Sequence, residues 1–327
     1  MMTINVALKC PDGIVMGADS LVSLVASDGG SISSIIPYYN KLFPIGNSQN
    51  TLDNFAAGAM LNGAGSIGGR TIEDIISEFG EEYSKTNPVN NYSLQQLTTD
   101  LGNKVQKIID TTIAGKNPLL EIIIGGYSKG EKAGEKRYGE IYSLFWEQQP
   151  YKLRVLYTND VEFETHYGGQ PQMLDRFRYG IDDWILANML KKRKDLFNQT
   201  RDYIIDKLKE NGVSIPSTVT IGMPTSMKQF DIFNLFSDYE LGSTPGQTLK
   251  NIKEGMVEKV ETMERFLSLQ TAINYCTFLM SCSYAQNNFA YAIPTVGSEM
   301  RVASITRNDG FKYRKIWEIQ TPGPPFR

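Results

Sequence analysis

The alternation of apolar and polar residues changes period several times along the chain, and each change predicts an element. Ile4, Val6 and Leu8 recur every second residue, and so do Ile14 and Met16. A period of two is that of a half-buried strand. Between the two runs stands Pro11-Asp12-Gly13, where proline presets φ and glycine accepts positive φ. Residues 3–20 therefore read as a β-hairpin. The Ser-, Gly- and Tyr-rich stretch 23–40 reads as a loop, Lys41–Ile45 as the start of a strand, and Asn54–Asn62 as a small-residue strand running into the glycine cluster 63–69. The period then becomes helical. Ile72, Ile75, Ile76 and Phe79 fall at i, i+3, i+4 and i+7, with Thr71 as cap and Asp74 three residues on. Leu94, Leu97, Leu101, Val105, Ile108 and Ile109 mark a second helix capped by Ser93.

Further strands are expected over Leu119–Tyr127 and Tyr138–Trp146, with a pair in Leu153–Tyr167. From Pro171 to about Lys209 the chain reads as helical and very polar. Residues 213–250 read as irregular, and about Gln247–Tyr284 as helical again. Ala303–Ile305 and Tyr313–Ile319 close the pattern around Asn308-Asp309-Gly310, and residues 321–327 form a tail with little means of packing. Strands, two helices, strands, helices and strands in that order fit an α+β fold. Two sheets each packed on the other and on a helix layer would make a four-layer α/β/β/α sandwich. The tight opening hairpin argues against a doubly wound parallel sheet.

Composition narrows the function. The chain has 327 residues, 41% hydrophobic and 21% charged, which suits a soluble globular protein with a sizeable core. A net charge of -3 without a long basic run gives no reason to expect a nucleic-acid or membrane partner. Cys10, Cys276 and Cys282 are scattered, and His166 is the single histidine. A zinc site and a Ser-His-Asp triad are therefore poorly supported, and His166 reads as an ordinary strand or surface residue. No cofactor is implied. The glycine cluster lacks the Gly-Lys-Ser/Thr ending of a phosphate loop. No signal-peptide pattern and no run of about 18 apolar residues occurs, and free thiols suit a cytoplasmic location.

The segment Thr3-Ile-Asn-Val-Ala-Leu-Lys-Cys-Pro-Asp-Gly-Ile-Val-Met-Gly-Ala-Asp19-Ser20 resembles the opening of proteasome β-subunits and of the related bacterial ATP-dependent ring protease. These are N-terminal-nucleophile (Ntn) hydrolases. The interval from Thr3 to Asp19 matches the family without a gap, and a lysine, Lys41, opens the next strand after a longer loop. The likeness covers about residues 3–170 and 265–320. Residues 175–260 have no counterpart and read as an enlarged helical insertion in one Ntn-like domain spanning 1–320.

The resemblance implies a threonine hydroxyl activated by its own α-amine. A nearby lysine favours the neutral amine, and a carboxylate holds the lysine. It thus implies Thr3 as nucleophile and base, Lys41 as electrostatic tuner, Asp19 as orienter, and Gly63 as oxyanion donor with Gly58 the runner-up. Ser20 would touch the substrate backbone. The substrate would be a peptide or other amide, and a homo-oligomer is expected. The family's serine near the site and its acidic residue and serine near the closing hairpin are replaced here by Gly168-Gly169-Gln170 and Thr295-Val296-Gly297. Met1-Met2 precede Thr3, so the amine is free only after their removal. The alternatives are a transpeptidase using the same residues, and a non-catalytic assembly or binding subunit with Thr3 blocked.

Overall fold

A computed structural model describes residues 3–25, 32–36, 39–46, 54–112, 118–133, 138–147, 151–158, 162–169, 218–223, 226–231, 266–290, 296–297 and 299–318, with single residues and pairs between 174 and 211. The chain divides into two compact units, Met1–Leu174 with Glu261–Arg327, and Asp175–Val260.

The first unit is a mixed α+β fold with antiparallel sheets and, among the described residues, three helices. The opening hairpin is β1 (Ile4–Cys10) and β2 (Gly13–Asp19), with Cys10 opposite Gly13. It continues into a five-stranded sheet in the order β12 (Glu164–Gly169), β1, β2, β15 (Glu299–Thr306), β16 (Gly310–Glu318). The second five-stranded sheet runs β11 (Lys152–Tyr157), β10 (Glu140–Trp146), β9 (Leu120–Gly126), β6 (Asn54–Gly63), β5 (Leu42–Gly46).

Period-two patterning predicts one buried face for β1 and β2, yet all seven residues of each are buried. Ile4, Val6 and Leu8 join a core with Ala272, Cys276, Leu279 and Met280 of helix α3 (Leu269–Ala290). Ala7, Ile14, Met16 and Ala18 join a second core with Leu42, Met60 and Ile123 of the other sheet. The outer side of that other sheet carries Phe43, Phe55, Leu61, Ile122 and Trp146. Against them pack helices α1 (Ile72–Thr86) and α2 (Leu94–Thr112) through Ile72, Ile75, Ile76, Phe79, Leu97, Leu101 and Val105. Each such side chain contributes about 1.5–3 kcal/mol on full burial, so the helical period is the largest local determinant of this layer.

The helix starts are set by hydroxyls. Thr71 Oγ1 accepts the Asp74 N–H at 3.1 Å. The Leu97 N–H bonds the Ser93 carbonyl, and the Leu94 N–H is taken by Ser128 Oγ at 2.9 Å. The glycine cluster forms a miniature hairpin, β7 (Ser66–Ile67) and β8 (Arg70–Thr71). Its two-residue loop is Gly68-Gly69, with φ of 57° and 81°, and two positive φ values in succession suit glycine.

Three sequence expectations are corrected. Stretch 23–40 is not wholly a loop: β3 (Val22–Val25) pairs with β4 (Ile32–Ile36). The stretch read as irregular contains β13 (Thr218–Met223) and β14 (Ser226–Asp231), paired in the second unit. Strand ladders use backbone groups, which a Ser-, Thr- or Gly-rich composition does not remove. The late helix begins at Leu269, after non-helical 266–268, and runs beyond Tyr284. Ser268 caps it: its Oγ accepts the Thr271 N–H at 3.3 Å and its carbonyl the Ala272 N–H at 2.8 Å. In the second unit the described residues between 188 and 210 are helical, with Leu196 and Tyr203 exposed. Residues 232–265, which include the later part of the stretch read as irregular and the first part of the late stretch read as helical, and the tail 321–327 lie outside the described residues.

Candidate active site

Antiparallel pairing of β1 with β2 sets Asn5 opposite Ala18. The residues flanking that pair, Thr3 before β1 and Asp19 at the end of β2, are thereby brought together. Lys41 enters from the residue before β5. Thr3, Asp19 and Lys41 are each at most 4% exposed.

The three side chains share hydrogen bonds. Lys41 Nζ donates to Thr3 Oγ1 at 2.5 Å and to Asp19 Oδ1 at 2.9 Å. The Thr3 hydroxyl donates to Asp19 Oδ1. Asp19 Oδ1 also accepts the Ile4 N–H at 3.1 Å. Asp19 Oδ2 accepts two backbone groups, Leu21 N–H at 3.1 Å and Gly297 N–H at 2.8 Å. Five donors thus fix both oxygens of one buried carboxylate. A buried charge of this kind is tolerable only when so paired. The arrangement leaves a lysine ammonium against a hydroxyl oxygen, where it favours negative charge developing on that oxygen.

Two glycines close around the trio. Gly169, at φ 84°, has its Cα so near the Thr3 backbone that a methyl there would lie 1.9 Å from the Thr3 carbonyl oxygen. A methyl on Gly297 would lie 2.7 Å from Leu21 N and 2.8 Å from Ser20 Oγ. Both occur in the segments where the family resemblance fails. Their sequence signal is glycine where that family carries hydroxyl or acidic side chains.

The remaining predicted residues are placed differently. Ser20 is buried beside the trio, and its carbonyl accepts the Tyr39 N–H at 2.7 Å. Gly63, at φ 101°, ends β6, and a methyl on it would lie 2.3 Å from the Leu119 carbonyl oxygen. It lines a cavity of about 230 Å³ together with Asn62, Leu120, Glu121, Phe145 and Gly169. Gly58, mid-strand in β6, packs under Phe311, where a methyl would meet the ring at 2.5 Å. Sequence reasoning missed Glu121 and Asn62, which bond each other at 3.2 Å.

The other nucleophiles are poor candidates. Burial pushes the Cys276 thiol up to about 12 and the Cys10 thiol up as well, so neither supplies thiolate near neutral pH. His166 lies in β12 opposite Ala7, with Nε2 buried and, among the described residues, without a hydrogen-bond partner. Burial lowers its pKa, against the opposing pull of Glu121. Among the described residues no His, Cys, Asp and Glu group could hold a metal, and no helix is long and apolar enough to cross a membrane.

No protein-family model matches the chain, and no curated protein matches it. Among solved structures, Anbu (ancestral beta-subunit) from Yersinia bercovieri is similar, with a TM-score of 0.44 and 13% identity over 95% of this chain and 86% of that one. The likeness is weak, and Thr3, Asp19 and Lys41 carry the functional reading instead.

Proposed function

We propose that the protein is a threonine-type Ntn hydrolase that cleaves peptide or other amide bonds through an acyl-enzyme on Thr3. The observation that carries this reading is the buried Thr3–Lys41–Asp19 hydrogen-bond set. Thr3 Oγ1 attacks the amide carbonyl, and its proton passes to the Thr3 α-amine, freed by loss of Met1-Met2. Lys41 stabilises charge on the attacking oxygen and keeps the amine neutral. Asp19 holds Lys41. A backbone N–H at the end of β6, assigned to Gly63, receives the oxyanion. The amine proton then goes to the leaving nitrogen as the C–N bond breaks. Water attacks the ester, returns its proton to Oγ1 through the amine, and releases the acid.

The three apolar cores support the wider family reading of a four-layer α/β/β/α sandwich, with residues 175–260 as an insertion. Ser20, buried beside Asp19, is assigned to the substrate backbone. A small symmetric homo-oligomer is the matching assembly.

Amide hydrolysis by protein beginning at Thr3 is the test. Turnover that disappears in Thr3→Ala supports the reading. Equal turnover by Thr3→Ala, or by protein shown by intact mass to retain both methionines, overturns the N-terminal mechanism. No turnover by correctly processed protein favours the non-catalytic subunit.

A further inference from the structure

The cavity lined by Gly63 and Gly169 also has in its wall a carboxylate, Glu121, that the proposed chemistry does not use. Glu121 lies on β9, opposite Asn62 of β6 and Phe145 of β10. Residues directly opposite in antiparallel strands present their side chains on the same face. Its Oε1 accepts Ser143 Oγ at 2.6 Å, and its Oε2 accepts Asn62 Nδ2 at 3.2 Å. Both donors are neutral, so they orient the carboxylate without cancelling its charge. Among the described residues no ion pair reaches it. The nearby cation, Arg154, places its guanidinium over the Phe145 ring at 4.6 Å. His166, which feels Glu121, is held toward its neutral form by burial.

The position of the cavity ties it to Thr3. A methyl on Gly168 would come within 3.6 Å of Glu121 Oε2 and 3.5 Å of Asn62 Nδ2. The next residue, Gly169, lines the cavity and abuts the Thr3 carbonyl. Gly63, assigned to the oxyanion, lines it as well. The lining also includes Leu119, which is exposed, and Phe145, which stands on the same sheet face as Glu121, while the Leu120 side chain is buried in the core under α1 and α2. A partly apolar lining beside a carboxylate held only by neutral donors matches a flexible apolar stem ending in a cation.

We propose that this cavity is a substrate subsite for an ammonium or guanidinium side chain, one residue's reach from the attacked carbonyl, with Glu121 as its anionic partner and Asn62 and Ser143 as positioning residues. It rests on the reading of Thr3 as nucleophile for its catalytic meaning, but the pocket itself is testable without turnover. Charge-assisted pairing at such a site is worth on the order of tenfold or more in affinity or kcat/KM.

Binding is measured first, on Thr3→Ala protein, with N-acetyl-lysine methylamide and its uncharged norleucine counterpart. Chemical-shift changes are followed at the Gly63, Leu120 and Gly169 amides. The lysine compound is expected to perturb these amides and the norleucine compound to do so about tenfold more weakly. Glu121→Gln, which keeps the shape, should erase the difference. A panel of amide substrates differing only in a Lys, Arg, Gln or Leu side chain next to the scissile bond then reads selectivity, and Glu121→Gln should bring the Lys:Leu ratio of kcat/KM close to one. Equal response to lysine and norleucine in the Thr3→Ala protein itself, whatever the fate of the Gln variant, overturns the subsite. Selective binding of lysine without turnover of any substrate keeps the subsite and sinks the hydrolase reading. Turnover without preference for the cation does the reverse.

Discussion

Replacing Lys41 by Met keeps an unbranched apolar stem and deletes the ammonium. It leaves Asp19, 1% exposed, without its cation but still holding the Thr3 hydroxyl and the backbone N–H groups of Ile4, Leu21 and Gly297. Breaking a buried ion pair on one side costs about 3–5 kcal/mol, and four surviving donors place this case near the lower end, about 3 kcal/mol. Asp19→Asn strands the ammonium instead, with the Thr3 hydroxyl as its remaining neighbour in the trio, and should cost more, about 4–5 kcal/mol. The double variant buries neither charge. Its loss should therefore fall short of the summed single losses by at least about 2 kcal/mol. Urea unfolding of the four proteins measures this directly. Turnover of the Lys41→Met protein should fall by about 10²–10³-fold, the usual cost of removing a group that stabilises developing oxyanion charge. Additive stability losses in the cycle would refute the buried pair, and near wild-type turnover by Lys41→Met would refute its role in activating Thr3.

Gly169→Ala should displace the Thr3 backbone, because both the methyl clash and φ 84° oppose it; a stability loss of about 1–3 kcal/mol is expected in urea unfolding, with lost turnover. Gly17→Ala should loosen α3 from β2, since the methyl would meet Met280 Sδ at 2.5 Å and Cys276 Sγ at 2.6 Å; a Tm decrease matching about 1–3 kcal/mol checks it. His166 gives a pH prediction. Its folded pKa lies below the unfolded value of about 6.5, so its contribution is fully present above pH 6.5 and is lost as pH falls toward the folded pKa. Tm between pH 8 and 5 should therefore decline less steeply in His166→Gln than in wild type. Light scattering should return a small oligomer, and a mass of twelve or more subunits would contradict that assembly.

The elements legible in the sequence are those with strong local causes. Pro11-Asp12 turns the hairpin, while Gly13 is already strand and does not take the positive φ expected of it, its missing side chain instead admitting the Ile305 carbonyl, 2.8 Å from where a methyl would sit; the isoleucine and leucine periods with Thr71 and Ser93 set α1 and α2. Thr3, Asp19 and Lys41 are legible as a group only through the resemblance to the proteasome β-subunit opening; in the fold, hairpin register brings the first two together and Lys41 arrives from the residue before β5. What the sequence hid is long-range. Gly297 is 278 residues from the carboxylate it bonds. Glu121 meets Asn62 across 59 residues of chain, through a strand register that no local pattern encodes. The burial of Asn5 and Lys9, polar positions on a strand read as half-exposed, follows from the second sheet covering that face. Asn5 Nδ2 there donates to the Leu61 carbonyl at 2.9 Å.

The most direct measurement of the Thr3 assignment is the fate of a β-lactone acyl donor. Ring opening by Thr3 Oγ1 transfers the whole lactone to the protein as an ester, with no leaving group, and the added mass can be mapped by fragmentation. Protein beginning at Thr3 should gain one lactone mass, on Thr3, while Thr3→Ala protein and protein retaining Met2 should gain none. A label on another residue, or equal labelling with Met2 still in place, would contradict Thr3 as an N-terminal nucleophile.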